Sequence, residues 1–161
     1  MKKIVFLSMA LLSAVIFTAC GGEKNSQNQQ QNPQAAQAIP PMGKPVVEVP
    51  EAVKGKWKAV VLSVENKDTK QTKDETVDIG KKFNIPGSDL SILVKNFFPA
   101  FVMQGSKITS LSNEPNNPAA QVEVSEGGSV VFHGWLFARF PTTHAFMHPK
   151  YAITLREGIP K

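Results

Sequence analysis

FHGWLFARFPTTHAFMHPKYAITL, Phe132 to Leu155, decides how the chain is to be read, because it gathers a Gly-Trp pair, Phe-Pro and His-Pro breaks and all three histidines into one stretch. From Val130 to Phe140 the even positions Val130, Phe132, Gly134, Leu136, Ala138 and Phe140 are apolar or small, the period of a strand with one face turned inward. The even face is therefore the expected core face. The odd positions Val131, His133, Trp135, Phe137 and Arg139 suit either a second, thinner layer of packing or an aromatic surface for a partner. Pro141 has no N–H for a ladder and ends the strand. Thr142 to Pro149 follows as a structured loop, with room for one short helix near Thr142 to Met147. Tyr151 to Leu155 then reads as a strand with Tyr151, Ile153 and Leu155 on one side.

Working upstream, Gln121-Val122-Glu123-Val124 alternates and Ser125-Glu126-Gly127-Gly128 turns, so a hairpin leads into the strand from Ser129. Ser112-Asn113-Glu114-Pro115-Asn116-Asn117-Pro118 has turn formers at nearly every position and is a loop. Asp89 to Phe98 places Leu90, Ile92, Val94 and Phe98 on one face. Leu93 and Phe97 interrupt the alternation, which points to a central strand, and Pro99 interrupts it before Ala100 to Met103 continue past a bulge. Ile85-Pro86-Gly87-Ser88 is a turn. Trp57 to Glu65 is a strand rich in β-branched residues, Asn66 to Glu75 a charged loop, and Val77 to Phe83 a short strand able to pair with the first. No window beyond the N-terminus sustains a helical period. The fold class is all-β: a small antiparallel β-sandwich or partly open barrel.

The 161-residue chain divides in three. Residues 1–19 have a basic start, Lys2 and Lys3, an apolar run from Ile4 to Phe17, and small Thr18 and Ala19, the pattern of a secretory signal peptide. Phe17-Thr18-Ala19-Cys20 resembles the lipobox of bacterial lipoproteins, which implies acylation of Cys20, although Phe17 stands where an aliphatic residue is usual. Cys20 is the chain's one cysteine, and an exported protein uses structural cysteines in pairs. Several acyl chains on one residue give the two-signal strength of a stable membrane anchor. Gly21 and Gly22 follow with no aspartate of the kind that retains lipoproteins at the inner membrane, which favours the outer membrane, facing the periplasm. Residues 20–50, with NSQNQQQNPQAAQA and Pro40, Pro41, Pro45 and Pro50, have too little apolar surface to offset ordering and are expected to form a disordered linker. Residues 51–161 remain as one β domain of about 110 residues. Loss of Lys2 and Lys3 with the signal peptide lowers the net charge from +5 to +3, too mild and scattered for nucleic acid binding.

The chemistry-bearing residues are few. His133, His144 and His148, with Met103 and Met147, are the candidates for a metal or haem site, imidazole and thioether suiting copper or haem iron. No Cys-x-x-Cys-His or His-Glu-x-x-His spacing is present, and the same histidines serve equally as strand-surface and turn residues. No GxSxG, P-loop or GxGxxG occurs, so the reading is not an enzyme and requires no cofactor; Glu114 and Glu123 are the one carboxylate pair that could face each other. Trp135, Phe137 and Arg139 belong to residue types enriched at binding hot spots and are the partner-binding candidates. Trp135 suits core packing as well, and Arg139 could stack on it as a cation–π pair. The resulting expectation is a membrane-anchored, non-catalytic interaction module with an envelope protein partner, its oligomeric state open.

Gly134-Trp135-Leu136-Phe137-Ala138, Pro141, His144-Ala145, His148-Pro149 and Tyr151 together resemble a family of small exported proteobacterial proteins classed only as a domain of unknown function. That resemblance implies an envelope β domain; cysteines found in some members are missing here. The run Ser112 to Ala119, the Val-rich strand, Gly127-Gly128 and Trp135 to Pro141 are also similar to the extracytoplasmic β-sheet part of membrane proteins that assemble c-type cytochromes. This second likeness implies a detached module of that type, linked to respiratory or cytochrome c assembly and lacking their spanning helices.

Overall fold

The computed structural model describes residues 44–161. The expected signal peptide, Cys20 and the greater part of the expected linker lie outside the described residues. Within them are ten strands and no helix: β1 (Val46–Val47), β2 (Trp57–Asn66), β3 (Gln71–Asp78), β4 (Lys82–Asn84), β5 (Leu90–Phe98), β6 (Phe101–Gln104), β7 (Lys107–Ser110), β8 (Ala119–Glu126), β9 (Ser129–Phe137) and β10 (Tyr151–Pro160). They form three sheets, in the orders β10-β2-β3, β4-β5-β8-β9 and β1-β7-β6. The first two enclose the core as a small sandwich.

Alternation sets the two inner faces. Val60, Leu62 and Val64 of β2 point inward beside Ile153 and Leu155 of β10 and Val77 of β3, and across from them lie Leu90, Ile92 and Val94 of β5, Val122 and Val124 of β8, and Leu136 of β9. Each of these side chains is nearly or wholly buried, and full burial of a Val, Leu or Ile contributes about 1.5–3 kcal/mol. The β8–β9 hairpin turns on Gly127 and Gly128, whose φ values of 55° and 89° are those of a two-residue turn that glycine enters without a Cβ clash.

Several expectations are corrected. Residues 71–75 are not loop: β3 starts at Gln71 and pairs with β2 from Asn66↔Gln71 to Ala59↔Asp78, so only Lys67 to Lys70 turn. Charge hid this strand, since backbone pairing at a sheet edge needs no apolar side chain. The segment Val77 to Phe83 is split, its second half becoming β4 on the other sheet. In β5 the register slips between Val94 and Asn96, so Phe97, not Phe98, joins the core face. A bulge inserts one residue and reverses parity downstream. On β9 the slip opposite Val124 and Ser125, and the strand's end at Phe137, leave Val130 and Phe140 57% exposed, against the inward face expected for them. Ala100 to Met103 do not prolong β5; Phe101 begins β6 of the third sheet. Thr142 to Met147 hold no helix, and the chain there is turn and extended loop. Sheet structure begins before Glu51, because Val46 and Val47 pair in parallel with Lys107 and Ile108.

Candidate functional site

The reversal at Lys95 creates the site. It turns Phe98 to the outer face of the β4-β5-β8-β9 sheet, where the odd residues of β9 also point, and Phe98 stacks on Trp135 at 5.2 Å between centroids and 27° between planes. The short sheet β1-β7-β6 lies over this face. Its Phe101 meets Trp135 edge-on at 4.9 Å and Phe137 at 5.0 Å and 86°, so four rings interlock in the offset and edge geometries that aromatic quadrupoles prefer. Across the same short sheet Val47, Ile108 and Met103 stand in one row.

Between that row and β9 runs a cleft of about 1070 Å³. Trp135 and Phe137 form its floor with Phe101, and Met103, half exposed, stands in its wall. The far wall is the loop Thr143–Ala145, where His144 adopts φ 51°, a left-handed conformation that non-glycine residues enter at a cost of about 1–2 kcal/mol. His133 lines the cleft from β9 and stands directly opposite Glu123 of β8. Glu123 is engaged by Lys95 at 2.6 Å, and that hydrogen bond, opposed by the cost of taking the charge partly out of water, holds its carboxyl below the usual carboxylate range. Gln121, opposite Trp135, is tied to Asn96 at 2.7 Å.

The sequence candidates therefore part company. Trp135 and Phe137 share the cleft; Trp135 serves packing and surface at once, being half-buried. Arg139 leaves the group: its guanidinium donates to the Asn116 carbonyl at 2.7 Å, pinning the Ser112–Pro118 loop, rather than covering the indole. His133 and His144 line the cleft together with Met103, but His148 does not. Its Nδ1 accepts from the backbone N–H groups of Lys150 and Tyr151 at 3.2 Å each, its Nε2 lies 3.3 Å from Glu126, and its ring stacks on Phe146 at 5.6 Å. The three histidines thus do not converge, and among the described residues no group of three His, Cys, Asp or Glu side chains is placed to hold a metal ion. Glu114 lies in the loop, bonded through its N–H to Ser112, while Glu123 is occupied by Lys95.

The sequence reading missed Phe101, Ile108 and Val47, and named Met103 only as a metal or haem donor. A signal was available in Phe101–Ser110, FVMQGSKITS, whose Gly105 is a turn residue between two short β-prone runs. What could not be read was that this hairpin covers β9. Compared with protein-family models, curated proteins and solved structures, the chain matches none.

Proposed function

We propose that this chain is a lipid-anchored envelope lipoprotein, held through Cys20 to the outer membrane and facing the periplasm, whose β unit is a non-catalytic interaction module. The observation that supports it is the cleft: an aromatic floor of Trp135, Phe137 and Phe101, with half-exposed Met103 beside it, offers the residue types that dominate binding energy at protein interfaces. The partner is an envelope protein. The likeness to cytochrome c assembly proteins favours a respiratory setting.

Two measurements test this reading. Intact mass of the protein from its native host should show an acylated Cys20, and an unmodified thiol overturns the anchor. Chemical crosslinking in isolated membranes should give a partner adduct that Phe101→Ala and Met103→Glu each diminish while circular dichroism keeps its strand spectrum; undiminished adducts in both overturn the module.

A second reading has its own support, since His133, His144 and Met103 line one cleft and imidazole with thioether is a donor set suited to copper(I). Titration of the full chain with copper(I) and with haem separates the two readings. Stoichiometric uptake that His133→Ala abolishes favours this second one; no uptake removes it.

A further inference from the structure

We infer that the free edge of β9 is a strand-addition site, taking an extended acidic-apolar peptide segment of a partner protein into the cleft. The inference rests on the interaction-module reading and names its partner class. Four consecutive β9 residues, Phe132, His133, Gly134 and Trp135, line the cleft. Neighbouring side chains on a strand point to opposite faces, so four in a row border one hollow only where the strand is seen from its side. The cleft there borders the strand's edge, where Phe132 to Phe137 make no backbone hydrogen bond beyond their pairing with β8 among the described residues. Among the described residues β9 has β8 on one side and no strand on the other.

The other edges are blunted in the ways that prevent pairing. β3 carries Lys73, Asp74, Glu75 and Asp78; β4, β1 and β6 are two to four residues long; β10 is broken by a bulge at Arg156 and ends on Pro160. β9 alone is long and bears no Lys, Arg, Asp, Glu or Pro from Ser129 to Phe137. An incoming strand would find walls on both sides, the β1-β7-β6 sheet and the Thr143–Ala145 loop, so alternate side chains would meet Phe101 and Met103 on one hand and the loop on the other.

Charge selects the occupant. Lys44 is the one formally charged side chain lining the cleft, the imidazoles of His133 and His144 add hydrogen-bonding groups and no acid lines it, so a segment alternating apolar with acidic residues is complementary. The chain's own residues 1–43 are not, having the single acid Glu23 against Lys2, Lys3 and Lys24. Nor is a second copy, whose β9 carries no acidic residue and which would bring its own Lys44 to face this one.

The test uses the full chain in detergent and a synthetic peptide alternating Val or Phe with Glu. Two twins of that peptide are N-methylated on the two alternate sets of amides, and a fourth peptide has Lys for Glu. Strand addition requires one twin to lose about tenfold in affinity, the worth of its edge hydrogen bonds, while the other keeps it. Hydrogen exchange should slow across Phe132–Phe137 and stay unchanged in β3. Lys44→Glu with His144→Glu should weaken the Glu peptide about tenfold and admit the Lys peptide. Equal effects of the two methylations, protection of β3 instead of β9, or protection of β9 by self-association without peptide would each overturn the inference. If no peptide binds but the membrane crosslink still depends on Phe101 and Met103, strand addition fails and the module reading stands; loss of both ends both.

Discussion

Gly158→Ala is the substitution that interrogates the fold most directly. Gly158 stands opposite Val60 in the β10–β2 pairing, and a Cβ there would overlap the Phe97 ring and come within 2.8 Å of Cε3 of Trp57. The two rings are 4.8 Å apart at 58°, and Phe97 is 4% exposed, so neither can swing aside without uncovering the other. In open space the exchange would stabilise by about 0.4–1 kcal/mol through the unfolded chain. Overpacking costs about 1–3 kcal/mol. The clash wins because both neighbours are rigid rings, and the net loss is about 1–2 kcal/mol, a fall of about 3–10 °C in Tm for a domain of this size. Urea unfolding followed by circular dichroism measures it. Phe97→Leu in the same chain should restore part of the loss, giving a coupling of about 1 kcal/mol. The reasoning depends on the slip at Lys95: without it Phe98 would face Gly158 and Phe97 would point outward. A Gly158→Ala protein at least as stable as its parent, or penalties that simply add, would refute the register.

Three further outcomes follow from the same geometry. Lys95→Met should let Glu123 titrate nearer its ordinary 4.5 by NMR; because the folded carboxyl is held low, its stabilisation is present above that value and lost as pH falls through the folded one, so the variant's acid unfolding curve should be shallower, and an unmoved Glu123 midpoint sinks the assignment. Gly127→Asn should be tolerated at φ 55°, whereas Gly128→Val at φ 89° should cost about 1–3 kcal/mol by urea titration; equal stabilities would contradict a two-residue glycine turn. His148→Ala removes the acceptor for the Lys150 and Tyr151 N–H groups and should cost about 1–3 kcal/mol, with nitrogen NMR of the parent showing the neutral ring protonated at Nε2; a proton on Nδ1 would contradict those bonds.

How much was legible follows from where the forces act. The β8–β9 hairpin could be read because Gln121-Val122-Glu123-Val124 and Gly127-Gly128 encode pairing and turn within a few residues of each other. β2 announced itself by its β-branched residues, and the first half of β10, Tyr151 to Leu155, by the alternation of a strand with one buried face. The greater part of β3, Gln71 to Glu75, was read as loop because an edge strand is held by backbone bonds its side chains do not advertise. Trp135 and Phe137 were recognised as residue types before anything showed what they face, but Arg139, placed with them by strand parity, and His148, placed with the other histidines by its imidazole, proved to be anchors for loops.

By itself the sequence determined that alternating, β-branched segments separated by glycine and proline turns make an all-β unit, because the strand period and the turn conformations are properties of a few adjacent residues. Only the tertiary structure decided that Phe98 looks outward, that Phe101 packs on Trp135 and Phe137 with Met103 beside them, and that two histidines out of three share the cleft. Each of these hangs on a one-residue slip at Lys95 or on the docking of a distant hairpin. Such choices are made by packing between segments far apart in the chain, and no local pattern records them.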